Sequence, residues 1–525
     1  MSEFRGVVDF HVHITRNLDD CGRVLESARR CGVEVICASS LGDDGYLRNP
    51  TPEQFRSAND YVLEAMERFP GRVIGFCYLN PNYPEESLRE MERCVARGMK
   101  GAKLWIACKA SDPKVYKLVE KALKLNIPVL QHSFNKATGN LPQESGPEDV
   151  AELARRFPEA KIVMAHLFGN NRRGIAEVAD LENVYVDLCG SEPEAGLTEY
   201  AVEELGAGRL LFGSDAPGRD FSVQMGKVLG ASIGEEEKER ILSRNAAELL
   251  GLGPVELRLP DLRLTGAVDV NAYVGEYPFR PLLYSRASEL SELMKKYGIS
   301  RAWVSSVEAM FREDPREANR RLVEEVSGFP ELEPVAVVNP AIANWKEAFG
   351  EAVRMGVRAF KLHPNYHGYS LSAPRASEFL REAGRAGIPV IVQLRVQDVR
   401  TQNPLMVVED FDVEEVLRAA RELPGTRLMI GGVRWEELLR LASEVRDLPN
   451  LWVDISCLER MDGLREVLDM VGAEKLLFGT HAPFFYMASA VLKVKMAGLE
   501  AHEAERILSG NARLIKGDRH EGKAR

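Results

Sequence analysis

Short apolar runs alternate with longer amphipathic stretches along the chain. In the first half, eight apolar runs predict strands at 6–14, 33–40, 72–80, 99–107, 127–134, 161–168, 183–189 and 209–215. Stretches of helical period separate them, such as PEQFRSANDYVLEAMERF and PEESLREMERCVARG. This alternation is typical of β/α units that form a parallel sheet. Eight such pairs in about 250 residues favour a (β/α)8 TIM barrel over an open doubly wound sheet.

The same pattern returns in the second half of the chain. Its predicted strands lie near 266–274, 301–308, 334–340, 357–363, 388–396, 427–433, 450–456 and 475–481. Matching segments recur in the same order, such as RLLFGSDAP at 209–217 with KLLFGTHAP at 475–483, and NVYVDLCG at 183–190 with NLWVDISC at 450–457. Collinear copies of this length indicate an internal duplication. We therefore predict an α/β protein of two tandem TIM barrels, residues 1–254 and 266–525, joined by a linker at 255–265.

Composition narrows the class of protein. The chain is 45% hydrophobic and 28% charged, as globular proteins are. Its net charge of −11 is spread without a basic patch, which argues against nucleic acid as a partner. We find no apolar run long enough to span a membrane and no signal peptide before the first predicted strand. The eight cysteines form no CxxC pair, so we expect buried thiols in a cytoplasmic protein that acts on a small molecule.

The histidines of the first half all fall at or near the ends of predicted strands. His11 and His13 belong to strand 1, His132 to strand 5 and His166 to strand 6, and strand 8 ends at Asp215. Active sites of TIM barrels lie at the carboxyl ends of the strands. This distribution therefore predicts a functional site in the first barrel.

Two histidines separated by one residue on a strand point to the same face, here the barrel interior. His11 and His13 could thus bind one divalent ion together, with His132 and Asp215 completing the coordination. The alternative is that the four residues are hydrogen-bonded polar groups of the core. Burying three imidazoles and a carboxylate without a metal is costly, which favours the metal site.

These motifs resemble those of the amidohydrolase superfamily. More narrowly, they are similar to its amidohydrolase-related branch, which includes aminocarboxymuconate semialdehyde decarboxylase, resorcylate-type decarboxylases and lactone hydrolases. The resemblance rests on DFHVH at 9–13, QH at 131–132, AH at 165–166 and FGSDAP at 212–217, and it covers the first half by order and spacing. It is specific at the level of the superfamily and implies no particular substrate.

The resemblance implies a role for each of these residues. His11, His13, His132 and Asp215 correspond to the ligands of one divalent ion, for which Zn²⁺ is expected and Mn²⁺ or Fe²⁺ are alternatives. His166 corresponds to a residue beside the metal-activated water or the substrate, and Asp215 to a proton shuttle as well as a ligand. In such sites the metal lowers the pKa of bound water toward about 7.

Other polar residues near strand ends are candidates for substrate binding. Lys103 ends strand 4, where binuclear relatives carry a carboxylated lysine; a substrate-facing ammonium and a structural ion pair are the alternatives, and one metal is favoured. Trp105, Arg172 and Arg219 are further candidates, since arginine suits a carboxylate or phosphate group.

The second half lacks the ligand set. At the equivalent positions it carries Asn271, Tyr273, Gln393, Gly432 and His481. Amide side chains bind zinc poorly, so we predict a barrel without metal. A rebuilt site made of His363, His367 and His481 is the alternative.

Related enzymes pair as homodimers, which suggests a role for the second barrel. We expect it to take the partner's place within the chain, as an internal pseudo-dimer that covers an apolar surface and lends an arginine to the first site. Further homo-oligomers stay open.

Three functions are compatible with the sequence. The first is a metal-dependent hydrolase acting on an amide, lactone or similar bond. The second is a non-oxidative decarboxylase or hydratase with the same ligands, and the third is a binding or scaffold protein without catalysis. The intact ligand set of the first half argues against the third.

Overall fold

The structure, a computed structural model of the chain, describes residues 4–16, 21–43, 45–253, 255–257 and 259–516. It divides into two compact units, Met1–Asp261 with Arg400–Pro404, and Leu262–Val399 with Leu405–Arg525. Within the predicted linker, the strand Val255–Glu256 pairs in parallel with Phe4–Arg5.

The first unit contains an eight-stranded parallel sheet whose strands neighbour one another in sequence order. The strands are Val7–His13, Val33–Ser39, Val73–Tyr78, Gly101–Leu104, Val129–Gln131, Ile162–Met164, Val184–Asp187 and Leu210–Leu211. The helices are Cys21–Arg30, Pro52–Arg68, Pro84–Ala96, Pro113–Lys124, Pro147–Arg156, Leu167–Val178, Leu197–Leu205, Phe221–Leu229, Glu235–Glu239 and Asn245–Leu250, with a 3₁₀ turn at Ala207–Arg209 and a π turn at Arg240–Arg244. Proline at the first turn begins several of them, because its missing N–H is not needed there.

The second unit repeats this arrangement with another eight-stranded parallel sheet. Its strands are Ala267–Val274, Ile299–Ser306, Leu332–Val337, Ala359–Leu362, Val390–Gln393, Leu428–Gly431, Leu451–Asp454 and Leu476–Leu477. Its helices are Ala287–Tyr297, Arg316–Val326, Trp345–Arg354, Pro364–His367, Pro374–Ala386, Val413–Glu422, Trp435–Asp447, Gly463–Val471, Met487–Met496, Ala501–Glu505 and Asn511–Lys516, with 3₁₀ turns at Glu308–Phe311 and Ala473–Lys475 and a π turn at Arg506–Gly510.

Backbone hydrogen bonds close each sheet into a barrel. In the first, the N–H of Phe10 donates to Phe212 O at 2.8 Å, and that of Asp215 donates to His11 O at 2.8 Å. In the second, the N–H of His481 donates to Asn271 O at the same distance. The prediction of two tandem TIM barrels is therefore confirmed, and the closing bonds pair Asp215 with His481 and His11 with Asn271 as equivalent positions.

Apolar side chains fill the lower interior of each barrel. The first holds Val8, Phe10, Val35, Cys37, Ile74, Phe76, Leu130, Val163, Ala165 and Leu211, packed against Ala246, Leu249 and Leu250 of the last helix. The second holds Val268, Val270, Trp303, Val335, Ala359, Ile391, Met429 and Leu477, packed against Ala512 and Ile515. Burying each large apolar side chain contributes about 1.5–3 kcal/mol. The lower interior of each barrel is therefore a packed apolar core, and the polar side chains of the interior lie at the carboxyl ends of the strands.

An irregularity in the first strand directs side chains into two layers. Its pairing with Val33–Ser39 shifts in register between Asp9 and Val12. Before the shift Val8 belongs to the apolar interior, and after it His13 lines the site at the carboxyl end. A bulge of this kind re-aims side chains relative to strict alternation.

All eight cysteines are buried, and none forms a disulfide in the part of the chain that the structure describes. Within that same part, every helix is too short or too polar to cross a lipid bilayer.

Candidate active site

A cavity of about 280 Å³ lies at the carboxyl ends of the first barrel's strands. Most of the predicted site residues line it: His13, Lys103, Trp105, His132, His166, Asp215 and Arg219. His11 is fully buried next to this cavity. The fold thus brings together side chains that are up to two hundred residues apart in sequence.

Three donor atoms converge beside this cavity. The Nε2 atoms of His11 and His13 are 3.2 Å apart, and Oδ1 of Asp215 lies 3.4 Å from Nε2 of His13 and 3.8 Å from Nε2 of His11. Two imidazole nitrogens and a carboxylate oxygen are ligands that Zn²⁺, Mn²⁺ and Fe²⁺ accept. The donor set therefore fits the divalent ion that the sequence predicts.

Asp187, at the end of strand Val184–Asp187, orients His11. Its Oδ2 accepts a hydrogen bond from Nδ1 of His11 at 2.9 Å, so the lone pair of the imidazole is on Nε2 and points toward His13. A carboxylate in this position fixes the tautomer of a metal-binding histidine. Burial raises the pKa of Asp187, but the neighbouring His11 and His166 outweigh burial and hold it well below its ordinary value.

Two of the predicted residues have left-handed backbone conformations. His166 has a φ of 68° and Asp215 a φ of 61°. Residues other than glycine seldom adopt this region, and such strain clusters at functional sites. The equivalent Gly432 and His481 of the second barrel, with φ of 75° and 58°, have the same backbone geometry.

His166 presents an unprotonated ring nitrogen beside Asp215. Its Nδ1 donates to Ser133 O at 3.2 Å, so Nε2 carries the lone pair. This Nε2 is buried without a hydrogen-bond partner, 3.7 Å from Oδ2 of Asp215. Burial lowers the pKa of His166 well below its ordinary value, so the imidazole is neutral.

His132 lies apart from the three converging donors. Its Nε2 is 3.0 Å from Oε1 of Glu144, and its Nδ1 is buried without a partner. Because the carboxylate accepts, Nε2 carries the proton and Nδ1 the lone pair. The ring of His132 stands 4.8 Å from that of His166. His132 therefore presents Nδ1 as its available donor atom, and its role as a fourth ligand stays a prediction.

Asp215 is ionised and is the most exposed of the three converging donors. Its side chain is 27% exposed, whereas that of His13 is 6% exposed. Burial raises its pKa, but the hydrogen bond with His13 and the nearby His166 and His11 outweigh burial and hold the pKa well below the ordinary value. Asp215 is thus a carboxylate that faces both the histidine pair and the cavity.

Lys103 reaches the same donors from strand Gly101–Leu104. Its Nζ is 2.8 Å from Nε2 of His11 and fully buried. Burial lowers its pKa to about 8. The nearest polar atom is an imidazole nitrogen rather than a carboxylate, which favours a site-facing amine over a structural ion pair.

The candidate substrate-binding residues differ in position. Trp105 and Arg219 line the cavity, whereas Arg172 is exposed and stacks on the ring of Tyr200 at 4.2 Å. Arg172 is outside the cavity because it follows the first turn of its helix on the outer face.

Further cations and aromatic rings border the cavity. Lys136 lines it and is bound to both carboxylate oxygens of Glu144, at 2.8 and 2.6 Å. Arg400, in the segment that belongs to the first unit, also lines it, with its guanidinium 5.1 Å from the ring centre of Phe134. These groups suit a planar substrate that carries a negative charge.

Sequence reasoning did not single out Asp187, Glu144 or Arg400. For Asp187 a signal existed, because NVYVDLCG and NLWVDISC retain the aspartate in both halves. Glu144 and Arg400 lie in long connections, where sequence spacing does not indicate which side chains meet.

Metal-capable clusters within the described residues belong to the first barrel. Sets of three donors within 4.8 Å of one another are formed by His11, His13 and Asp215, and by His11, His166 and Cys189. The alternative of a rebuilt site at His363, His367 and His481 finds no such convergence in the described part of the chain.

Comparison with known proteins yields one family. A family model described as amidohydrolase matches residues 8–252 and 276–515. A curated relative, 2-amino-3-carboxymuconate-6-semialdehyde decarboxylase of Dictyostelium discoideum, is 24% identical over 236 residues, which cover 37% of this chain and 66% of the relative. The match thus spans just under two thirds of that relative's length.

Solved structures of similar fold include two decarboxylases. A 2,6-dihydroxybenzoate decarboxylase from Rhizobium is 19% identical with a TM-score of 0.40, covering 47% of this chain and 99% of that one. A dihydroxybenzoic acid decarboxylase from a Polaromonas species, solved with manganese and 2-nitroresorcinol, is 19% identical with a TM-score of 0.41, covering 47% and 97%.

Proposed function

The chain belongs to the amidohydrolase family, and from this premise we propose that its first barrel is a metal-dependent enzyme acting on a small carboxylate substrate. The reaction proposed first is non-oxidative decarboxylation. One Zn²⁺ is the proposed ion, with Mn²⁺ and Fe²⁺ as alternatives of the same ligand preference.

One observation carries the proposal. The Nε2 atoms of His11 and His13 and Oδ1 of Asp215 converge beside a cavity that His166 and Lys103 also line. His11, His13 and Asp215 would hold the ion, and the ion would supply Lewis-acid polarisation of a substrate oxygen.

The protein's own groups provide binding and proton transfer. The lone pair at Nε2 of His166 accepts a proton from a substrate hydroxyl, and Oδ2 of Asp215, 3.7 Å away, stabilises the resulting imidazolium. In decarboxylation the bond between the carboxylate and its carbon breaks, CO₂ leaves, and the electron pair stays on that carbon. Protonated His166 then delivers its proton to the carbon.

The character of the cavity supports a carboxylate substrate. Lys103, Arg219 and Arg400 place positive charge around it, and Trp105 and Phe134 offer aromatic faces. Arginine binds carboxylates through two parallel hydrogen bonds. From the sequence alone hydrolysis ranked first; this charge and the curated decarboxylase relative now favour decarboxylation.

Hydrolysis is the second candidate function. The unprotonated Nε2 of His166 also suits the activation of water, with the proton passed afterwards to the leaving group of a lactone or amide. The two reactions differ in what they release, which makes them separable by experiment.

The test is a substrate screen on the metal-loaded full chain. Protein reconstituted separately with Zn²⁺, Mn²⁺ and Fe²⁺ is offered aromatic and enoic carboxylates, lactones and amides, with CO₂ measured by mass spectrometry and acid release by pH-stat titration. We expect CO₂ from a carboxylate. Acid release without CO₂ would instead support hydrolysis, and metal binding without turnover of any compound would favour the binding or scaffold function.

A further inference from the structure

Asp187 contacts two candidate catalytic residues with different oxygens. Its Oδ2 holds Nδ1 of His11 at 2.9 Å, and its Oδ1 accepts the backbone N–H of His166 at 2.9 Å. The carboxylate therefore joins the metal-binding side chain of strand 1 to the left-handed turn that carries the general base.

Cys189 completes the surroundings of this carboxylate. Its thiol donates to Oδ1 of Asp187 at 2.8 Å and its backbone N–H donates to the same oxygen at 3.2 Å. The sulfur is also 3.3 Å from Nδ1 of His11. With Oδ1 occupied by three donors, Oδ2 is left to His11.

The second barrel keeps this arrangement without the metal ligands. Oδ1 of Asp454 accepts from the backbone N–H of Gly432 at 3.3 Å and from the hydroxyl of Ser456 at 2.6 Å. Its Oδ2 accepts from Nδ2 of Asn271 at 2.6 Å. Asp454 and Ser456 are thus the counterparts of Asp187 and Cys189 in a barrel whose described residues form no cluster of three metal donors.

We propose that Asp187, held by the thiol of Cys189, is a positioning residue that fixes the tautomer of His11 and thereby presents Nε2 of His11 to the metal. This inference rests on the proposed function for its metal, but the tautomer itself is a property of the metal-free protein. Asp187 acts through His11 and does not touch the reacting atoms.

The proposal can be tested by replacing the carboxylate of Asp187, which accepts a hydrogen bond from His11, with an amide, whose nitrogen donates one. In Asp187→Asn an amide N–H faces Nδ1 of His11, and two donors cannot pair, so the proton of His11 moves to Nε2, where Nζ of Lys103, 2.8 Å away, accepts it as a neutral amine. The lone pair of His11 then turns away from the metal position. Loss of such a supporting carboxylate weakens metal affinity by roughly 10- to 100-fold. Asp454→Asn changes the same fold contact in the second barrel and serves as the matched control.

The experiment has two readouts on the full-length chain. Zn²⁺ affinity is measured by chelator competition for wild type, Asp187→Asn, Asp454→Asn, Cys189→Ala and Cys189→Ser. The histidine tautomers are read from ¹⁵N imidazole spectra of the metal-free proteins, with His11 assigned through His11→Gln. We expect a rise in the Kd for Zn²⁺ of about 10-fold or more in Asp187→Asn, a smaller rise in Cys189→Ala, recovery in Cys189→Ser, and wild-type affinity in Asp454→Asn.

The outcomes separate positioning from a purely structural role. An unchanged His11 tautomer in Asp187→Asn would overturn the proposal, and so would equal losses of thermal stability in Asp187→Asn and Asp454→Asn with wild-type Zn²⁺ affinity in both. If the wild type bound no metal while the tautomer still inverted in Asp187→Asn, the proposed function would fail and the positioning role would stand.

Discussion

The first strands of the two barrels carry buried aspartates at equivalent positions but differ in the side chains that follow these aspartates. Asp9 and Asp269 each accept the backbone N–H of the residue two positions later, His11 and Asn271, at 3.0 Å. Burial raises the pKa of Asp9 to about 7 and that of Asp269 to about 6. These buried aspartates are therefore retained in both barrels, whereas the residue that follows two positions later is His11 in one and Asn271 in the other.

The difference between the barrels is clearest at a lysine. In the first, Nζ of Lys103 contacts Nε2 of His11. In the second, Nζ of Lys361 contacts Oδ1 of Asn271 at 2.7 Å and lies 3.8 Å from the ring centre of Tyr273. An amide oxygen and an aromatic face are poor ligands for a divalent metal. At the positions equivalent to the candidate metal ligands, the second barrel thus holds side chains that contact its own lysine.

The sharpest way to break this comparison is to remove the ligands from each barrel in turn. His11→Ala/His13→Ala should lose the bound metal, about one ion per chain in wild type, and lower turnover by at least about 10³-fold, or roughly 4 kcal/mol. The matched Asn271→Ala/Tyr273→Phe variant should keep both. Metal analysis by mass spectrometry decides between them, and equal metal loss in both variants would refute a single site.

The second prediction replaces His166 by glycine, the residue that the second barrel has at the equivalent position. His166→Gly removes the imidazole at a left-handed position where the equivalent Gly432 shows that glycine fits. Without the general base, kcat should fall by about 10²- to 10⁴-fold, while metal content and unfolding midpoint stay at wild-type values. Unchanged kcat in a metal-replete variant would exclude His166 from proton transfer.

The third prediction concerns Arg400, which lies in the segment Arg400–Pro404 of the first unit. Arg400→Gln removes a guanidinium from the cavity wall. With a carboxylate substrate, KM should rise by about 10-fold with little change in kcat, since a charge-assisted hydrogen bond is lost. The exposed Arg155→Gln, which pairs with Asp180, is the control. A KM equal to that of wild type would show that the substrate's charge is bound elsewhere.

The strands could be predicted from sequence because their apolar patterns are local, and the converging donor atoms because they lie at strand ends. His11, His13 and Asp215 could be identified since strand ends in a TIM barrel meet at one site. Glu144 and Arg400 could not, because they lie in connections whose path depends on tertiary packing. Arg172 was chosen for its charge near a strand end, yet the helix that follows His166 turns it toward Tyr200.

The last effect expected is on stability rather than activity, as a pH dependence that comes from Lys361. Burial lowers its pKa from 10.5 to about 7, so between these values the unfolded chain binds a proton that the folded chain does not. Stability from this group is therefore complete above the unfolded pKa and is lost as the pH falls through the folded pKa, with a slope of at most about 1.4 kcal/mol per pH unit.

Lys361→Met should remove this slope. The slope is measured as the difference from wild type, so that the contributions of other lysines, including Lys103, cancel. Urea unfolding at pH 7 to about 10, followed by tryptophan fluorescence, reports mainly on the second barrel, which holds four of the five tryptophans. If the unfolding free energies of wild type and Lys361→Met changed in parallel with pH, Lys361 would keep its proton in the folded state and the prediction would be wrong.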